Sequence, residues 1–145
     1  MNIKQALKKK NMLVNEIKQE LNKVQTYNSM EVGSNRPYSA KLRLQSYFDK
    51  TNELISLKVA IHKANAPVFD KIFRLSELKS MVKYINTLNC TEGKEQNRYG
   101  VGEPRVMSAE MGIVERDEMV KNMEDEINKI QDELDYFNNI TNLPE

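Results

Sequence analysis

The sequence predicts a mainly α protein made of long antiparallel helices in a coiled-coil-like bundle, with a small β-hairpin or strand patch and an oligomeric state. Apolar residues recur at alternating steps of three and four over two long stretches. The hydrophobic fraction is only 39% and the charged fraction is 30%, which suits helices that bury a narrow stripe. Four of the five glycines fall between positions 90 and 112, so long non-helical chain is expected mainly there.

The clearest helical pattern covers residues 113–140. Nine acidic residues against three basic ones give this segment a formal charge of −6. It is therefore expected to need a partner that is apolar on one stripe and basic beside it. The apolar seam consists of Ile113, Val120, Met123, Ile127, Ile130, Leu134 and Phe137.

A second seam lies at the N-terminus, where a helix is predicted over about residues 2–28. This stretch carries a formal charge of +4 over positions 1–28, so we expect it to lie along the acidic C-terminal helix. Lys8, Lys9 and Lys10 form a basic run that either pairs with that helix or contacts phosphate or membrane. The seam residues are Ile3, Leu7, Val14, Ile17, Leu21 and Val24.

The turn formers between Ser29 and Pro37 end the first helix, and a second helix is predicted over residues 38–64. Around residues 54–61 its apolar arc is too wide for one seam. This width predicts burial on two sides, against the first helix and either another helix or a neighbouring subunit. His62 ends the arc and is expected to be a partly buried structural histidine.

The next segments predict a β element and a short helix. Residues 68–73 combine β-branched and aromatic residues and are expected to form a hairpin or strand. A third helix is predicted over residues 75–89, with Ser76 as its N-cap. The glycine-rich loop 90–112 would contain a strand at 105–108 that pairs with 68–73, and residues 141–145 would be a frayed tail. All of these elements are expected to form one domain, 1–145.

Composition excludes several classes of protein. The net charge is only +1, and internal cancellation of charge argues against nucleic-acid binding. The sequence has no apolar run of membrane-spanning length and its start lacks the apolar centre of a signal peptide. The single cysteine, Cys90, fits a reducing compartment. We therefore expect a cytoplasmic protein, bacterial or, if phage-encoded, in the host cytoplasm.

No catalytic or metal-binding signature is present. The motifs of zinc, di-iron and P-loop sites are absent, and nothing indicates that Cys90 and His62 meet. The acidic pairs of the last helix occupy adjacent positions and point to different faces. The sequence thus predicts a non-enzymatic protein without a metal or cofactor.

Three short motifs give the chain a family resemblance. Ile61-His62-Lys63-Ala64-Asn65 stands at the end of the second helix, Leu75-Ser76-Glu77 follows it, and Val106-Met107-Ser108 precedes the last helix. In this order, and with the ending Asn138-Asn139-Ile140-Thr141-Asn142-Leu143, the chain resembles the septicolysin-like family of small bacterial and phage helical proteins. The resemblance implies an oligomeric, mostly helical fold with no established activity.

The candidate binding site is the cationic part of the glycine-rich loop. Glycines allow backbone amides to approach an anion, arginine binds phosphate through two hydrogen bonds, and tyrosine stacks on a base or sugar. We therefore hypothesise a homo-oligomer that binds a small phosphorylated or nucleotide-like anion, such as a phage-type sequestering protein. A structural or adaptor protein without a small ligand, and a hydrolase of a phosphorylated ligand, are the alternatives. The predicted ligand-binding residues are Arg74, Lys94, Arg98, Tyr99, Gly100 and Arg105.

Overall fold

The computed structural model describes residues 1–95, 100 and 102–145, without the side chain of Glu95. The elements run in the order α1 (Ile3–Tyr27), α2 (Ala40–Ala64), a 3-10 turn (Ala66–Val68), α3 (Phe69–Asn86), β1 (Gly93–Glu95), β2 (Arg105–Met107) and α4 (Ile113–Ile140). The predicted class, mainly α with a small β patch, is confirmed. These elements make two compact units, Met1–Pro67 with Asp135–Glu145, and Val68–Leu134.

In the first unit, α1 and α2 form an antiparallel hairpin. Ion pairs join Lys9 to Glu53 at 2.6 Å and Lys50 to Glu16 at 3.6 Å, so residue numbers rise along one helix as they fall along the other. Helix α2 therefore lies along α1. The start of α1 also lies beside the last turns of α4, where Lys4 and Leu7 share a pocket with Asn138; the rest of the predicted α1–α4 contact stays a prediction. Heptad spacing identifies the face that a helix buries but not the helix that covers it.

The buried side of α1 carries Ile3, Ala6, Leu13 and Glu20. Leu7, Val14 and Leu21, which were predicted to lie in the seam, are only half-buried. The seam is therefore rotated towards a neighbouring heptad row. The buried row contains a carboxylate, Glu20, whereas the predicted seam is apolar except where Lys10 interrupts it.

Both ends of the chain are fixed to each other within the first unit. The amide of Ile3 donates to the carbonyl of Thr141 at 2.9 Å, and the amide of Leu143 donates to the carbonyl of Met1 at 3.0 Å. Asn2 caps α1, because its side chain accepts from the amide of Gln5 at 2.9 Å. The prediction of a frayed tail is thus wrong through residue 143, and Ile3 is fully buried.

The turn between α1 and α2 matches the prediction closely. Helix α1 ends at Tyr27 and α2 begins at Ala40 after the N-cap Ser39. Gly33 has a φ of +89°, a conformation that favours glycine. His62, expected to be partly buried, is exposed.

In the second unit, helix α3 replaces the predicted strand at 68–73. Phe69 and Phe73, one helical turn apart, stack with ring centroids 6.0 Å apart. The buried residues Val68, Leu75 and Leu78 follow helical rather than alternating spacing. Pairing of strand 105–108 with 68–73 is therefore corrected, and Ser76 lies inside α3 rather than capping it.

The strand predicted at 105–108 is present as β2, but its partner is β1. The antiparallel register places Gly93 opposite Met107, and Lys94 opposite Val106. Segment 90–112 therefore contains a two-stranded sheet.

Helix α4 has the bounds that its seam predicted. Its residues Val120, Ile130 and Leu134 are buried. Arg116, which interrupts the apolar spacing, donates to the carbonyl of Leu88 at 3.3 Å. This arginine therefore fixes the start of α4 to the chain that follows α3.

Candidate anion-binding pocket

The predicted loop site is only partly described by the structure. Arg98 and Tyr99 lie outside the described residues. Gly100 adopts a φ of +66°. Lys94 and Arg105 lie on β1 and β2, and Arg74 lies on α3.

The two strand cations do not face the same side of the sheet. Lys94 stands opposite Val106 in the register, and residues directly opposite each other share one face. Arg105 precedes Val106 on β2, and adjacent strand residues point to opposite faces. The sheet therefore does not bring Lys94 and Arg105 together.

Arg74 already has an anionic partner. Its Nε donates to Oε1 of Glu126 at 2.5 Å. This hydrogen bond raises the pKa of Arg74 above its ordinary value, with the attraction of the two charges as the second cause. The same bond lowers the pKa of Glu126 below its ordinary value. A ligand anion would have to compete with this carboxylate, so Arg74 is a weak candidate for its binding.

A second group of cations lies at the turn between α1 and α2 and encloses a cavity of about 440 Å³. This volume falls within the usual size range of small-molecule sites. We call this cavity the turn pocket. Its lining residues are Asn28, Arg36, Tyr38, Ser39, Ala40 and Lys41.

Arg36 is positioned by the end of α1. Its Nε donates to the carbonyl of Tyr27 at 2.7 Å and its Nη2 donates to the carbonyl of Asn28 at 3.3 Å. The last carbonyls of a helix lack intrahelical donors, and a cation there also favours the negative end of the helix dipole. Nη1 of Arg36 forms no hydrogen bond with the described residues, so it stays available to a ligand.

Tyr38 is held by cations and by a second ring. Nζ of Lys23 lies 4.7 Å from the centre of its ring, and the guanidinium carbon of Arg43 lies 5.0 Å from it. The ring of Tyr27 packs at 5.5 Å in a tilted arrangement. These contacts fix the ring against α1 and α2, and they increase the positive charge beside the pocket.

The charges of the pocket wall are not balanced locally. Arg36 and Lys41 have no carboxylate within ion-pair distance in residues 1–95, 100 and 102–145. Arg43, in contrast, lies 3.6 Å from the buried carboxylate of Glu20 on α1. The pocket therefore presents an uncompensated guanidinium and an ammonium group to solvent.

The sequence contains a pattern that could have indicated this pocket, but its residues were interpreted only as a turn and the start of a helix. Residues 36–43 read Arg-Pro-Tyr-Ser-Ala-Lys-Leu-Arg, with three cations and a tyrosine around the start of α2. This segment is as cationic as the glycine-rich loop and contains no acidic residue. The absence of interleaved glutamates distinguishes it from the loop, where Glu92, Glu95 and Glu103 accompany the cations.

The described residues hold no group of three or more His, Cys, Asp and Glu side chains arranged to bind a metal ion. Within the same residues, no helix has the length and apolar character needed to span a membrane. Comparison with protein-family models, characterised proteins and solved structures finds no match. The resemblance to the septicolysin-like family stays a prediction.

Proposed function

We propose that this is a non-enzymatic protein that binds a small phosphorylated anion in the turn pocket. The proposal keeps the ligand class expected from the sequence but moves the site from the glycine-rich loop to the α1–α2 turn. The main support for this proposal is that Arg36 and Lys41 line the cavity. Neither side chain forms an ion pair with a carboxylate of the described residues. A phosphate between them would accept charge-assisted hydrogen bonds from Nη1 of Arg36 and Nζ of Lys41, which form none with the described residues.

The geometry favours the phosphate part of a ligand over a nucleobase. Lys23, Arg43 and Tyr27 already contact the ring of Tyr38, which limits its use as a stacking platform. Its hydroxyl and the polar wall of the pocket suit phosphate oxygens. We therefore expect pyrophosphate and nucleotides to bind through their phosphates, and adenosine not to bind.

Isothermal titration calorimetry with pyrophosphate, ATP and adenosine tests the proposal. Lys41→Ala should weaken pyrophosphate binding about tenfold, which corresponds to about 1.4 kcal/mol. This lysine makes no hydrogen bond or ion pair with the described residues, so its removal should leave the fold intact. Lys79→Ala, which removes an exposed lysine from α3, is the matched control and should bind normally.

Two further variants separate the turn pocket from the predicted loop site. Arg36→Lys keeps the charge but loses the fork of donors, and it should bind more weakly than the unmodified protein. Arg105→Ala should have no effect. The proposal is wrong if no phosphorylated probe binds, or if Arg105→Ala weakens binding while Lys41→Ala does not. Intact pyrophosphate in the ³¹P NMR spectrum after long incubation is expected of a non-enzymatic protein.

A further inference from the structure

Helix α2 carries a second apolar side that is exposed. Leu44 is 37% exposed, Phe48 47%, Ile55 54% and Val59 48%. Their spacings of four, seven and four residues place them within about 60° of one another at about 100° per residue. They form one stripe, which we call the outer stripe of α2.

The outer stripe lies away from the side of α2 that packs on α1. That inner side contains the buried Ile61 and Ala64 and the ion-paired residues Lys50 and Glu53. Two apolar sides explain the wide arc seen in the sequence. An exposed apolar stripe of this kind marks a surface for association with another chain.

The spacing of the stripe is the same in both directions along the helix. If two copies of α2 lie antiparallel with Leu44 of one against Val59 of the other, Phe48 of each copy also lies against Ile55 of the other. All these pairs share one midpoint, between positions 51 and 52. A two-fold axis through that midpoint gives every apolar residue of the stripe an apolar partner. A stripe that matches itself in this way favours a second copy as its partner.

The charges beside the stripe favour an antiparallel pair over a parallel one. Lys58 and Lys63 lie on opposite edges, each about 70° from the centre of the stripe at about 100° per residue. Opposite edges meet in a parallel pair, which would bring Lys58 of one copy beside Lys63 of the other, and like charges there oppose association. Each edge meets itself in an antiparallel pair. Lys58 then lies within two positions of Tyr47 of the other copy, and the face of an aromatic ring attracts an ammonium group.

A groove along the C-terminal half of the stripe provides an opposite charge. It encloses about 390 Å³, and its lining includes Ile55, Val59, Lys63, Pro144 and Glu145. In the antiparallel pair this groove lies level with the N-terminal half of the other stripe, where Lys41 lies on the same edge. Neither Glu145 nor Lys41 forms an ion pair within residues 1–95, 100 and 102–145. Glu145 can therefore pair with Lys41 of the other copy and offset the charge of Lys63.

We propose that the outer stripe binds the outer stripe of a second copy, which forms an antiparallel dimer with its two-fold axis beside Asn52. The stripe covers about 23 Å of helix at about 1.5 Å per residue. A single helix pair of this length is smaller than a standard interface of about 800 Å² per partner, so the dimer should dissociate on dilution. The dimer does not depend on anion binding in the turn pocket, although both involve Lys41.

Sedimentation velocity over a series of protein concentrations in phosphate-free buffer tests the dimer. The unmodified protein should change from monomer to dimer as its concentration rises. Ile55→Glu should stay a monomer, because it places a carboxylate in the seam. Val114→Glu, which changes a residue that is 74% exposed on α4, is the matched control and should dimerise normally. A monomer at every concentration, or a dimer that persists in Ile55→Glu, would overturn the proposal.

Cysteine crosslinking in a Cys90→Ser background tests the register. Asn52→Cys should form a disulfide between two copies, because position 52 lies next to the two-fold axis. Leu44→Cys alone should not, since the two cysteines would lie about 22 Å apart along the helices at about 1.5 Å per residue. A mixture of Leu44→Cys and Val59→Cys chains should form the mixed disulfide. Crosslinking of Leu44→Cys to itself would indicate a parallel pair and contradict the proposal.

Exchange of the charges at positions 41 and 145 tests the groove contact. Glu145→Lys should weaken dimerisation about tenfold at low ionic strength, because three cations then meet at each end of the dimer. The double variant Glu145→Lys with Lys41→Glu should restore dimerisation. A loss that the second substitution does not restore would mean that the two side chains do not meet, and the antiparallel arrangement would then be wrong.

Discussion

Each of the two units contains an ion-paired carboxylate, and the two differ in how much water reaches them. Glu20 in the first unit is only 5% exposed, and it lies 3.6 Å from Arg43 and 3.5 Å from Lys50. In the second unit, the side chains of Arg74 and Glu126 are 58% and 37% exposed and approach to 2.5 Å. The shorter pair is therefore the more hydrated one.

This difference shows that the distance between two charged groups is a poor guide to how much their ion pair stabilises the fold. Water screens an exposed pair, and holding two long side chains in one geometry costs entropy. Burial removes water from Glu20, so this carboxylate depends on its two cations. Its second oxygen, Oε2, is buried and has no hydrogen-bond partner. We expect Glu20 to be sensitive to the loss of its partners and the Arg74 pair to be dispensable.

The largest effect on the free energy of unfolding is expected when both cationic partners of Glu20 are replaced. The double variant Arg43→Met with Lys50→Met leaves a buried, uncompensated carboxylate. Breaking a buried ion pair in this way costs about 3–5 kcal/mol. Urea denaturation followed by circular dichroism should show this loss. An unchanged midpoint would mean that solvent reaches Glu20 and would remove the contrast between the two units.

A smaller effect of opposite sign is expected when the carboxylate itself is replaced. Glu20→Leu removes the cost of burying a charge and continues the apolar row of Leu13 on α1. Replacement of buried ionic groups by apolar residues of similar volume is often neutral or stabilising by about 1–4 kcal/mol. The urea midpoint should stay constant or rise. Glu16→Leu, at a more exposed partner of Lys50, is the control and should not raise the midpoint.

The smallest effect is expected in the exposed pair. Arg74→Gln should leave the urea midpoint unchanged, because both side chains are largely hydrated. The titration of Glu126 should change, since its hydrogen bond to Arg74 lowers its pKa. NMR should therefore show the pKa of Glu126 rising towards its ordinary value in the variant. A pKa that does not move would contradict the pairing.

The sign of the pH dependence follows from the lowered pKa of Glu126. A carboxylate with a lowered pKa in the folded state stabilises the fold above its ordinary pKa, and this contribution disappears as the pH falls through the lowered value. Salt should weaken the contribution further, because the pair is exposed. Any acid sensitivity from this pair is therefore expected below the ordinary pKa of a glutamate, and at low ionic strength.

The sequence predicts a helix correctly where one apolar period continues over a long segment, even with a single interruption. The bounds of α4 follow from its seam, and Arg116 interrupts it for a local reason, the carbonyl of Leu88. The segment at 68–73 was misread because Val68 and Phe69 have high strand propensity when taken alone. The helical spacing of Val68, Leu75 and Leu78 was present but was divided by the assumed element boundary.

The contact of α1 with α2 and the location of the pocket could not be predicted in the same way. Formal charge drew attention to α4 as the partner of α1, and the acid on α2 that pairs with Lys9, Glu53, was not predicted. The summed formal charge of a helical segment hides such pairs, because it combines residues on helix faces that point in different directions. The pocket depends on Arg36 returning to the end of α1, a contact set by the turn conformation rather than by any motif.

The joined ends of the first unit have a practical consequence for protein engineering. Leu143 and Met1 are hydrogen-bonded neighbours, so a linker of a few residues should connect position 145 to position 1. New termini placed at Gly33, in the exposed turn after α1, would then give a circular permutant. In that permutant α4 would continue through the linker into α1, with the native pairing of α1 and α2 formed between opposite ends of the chain.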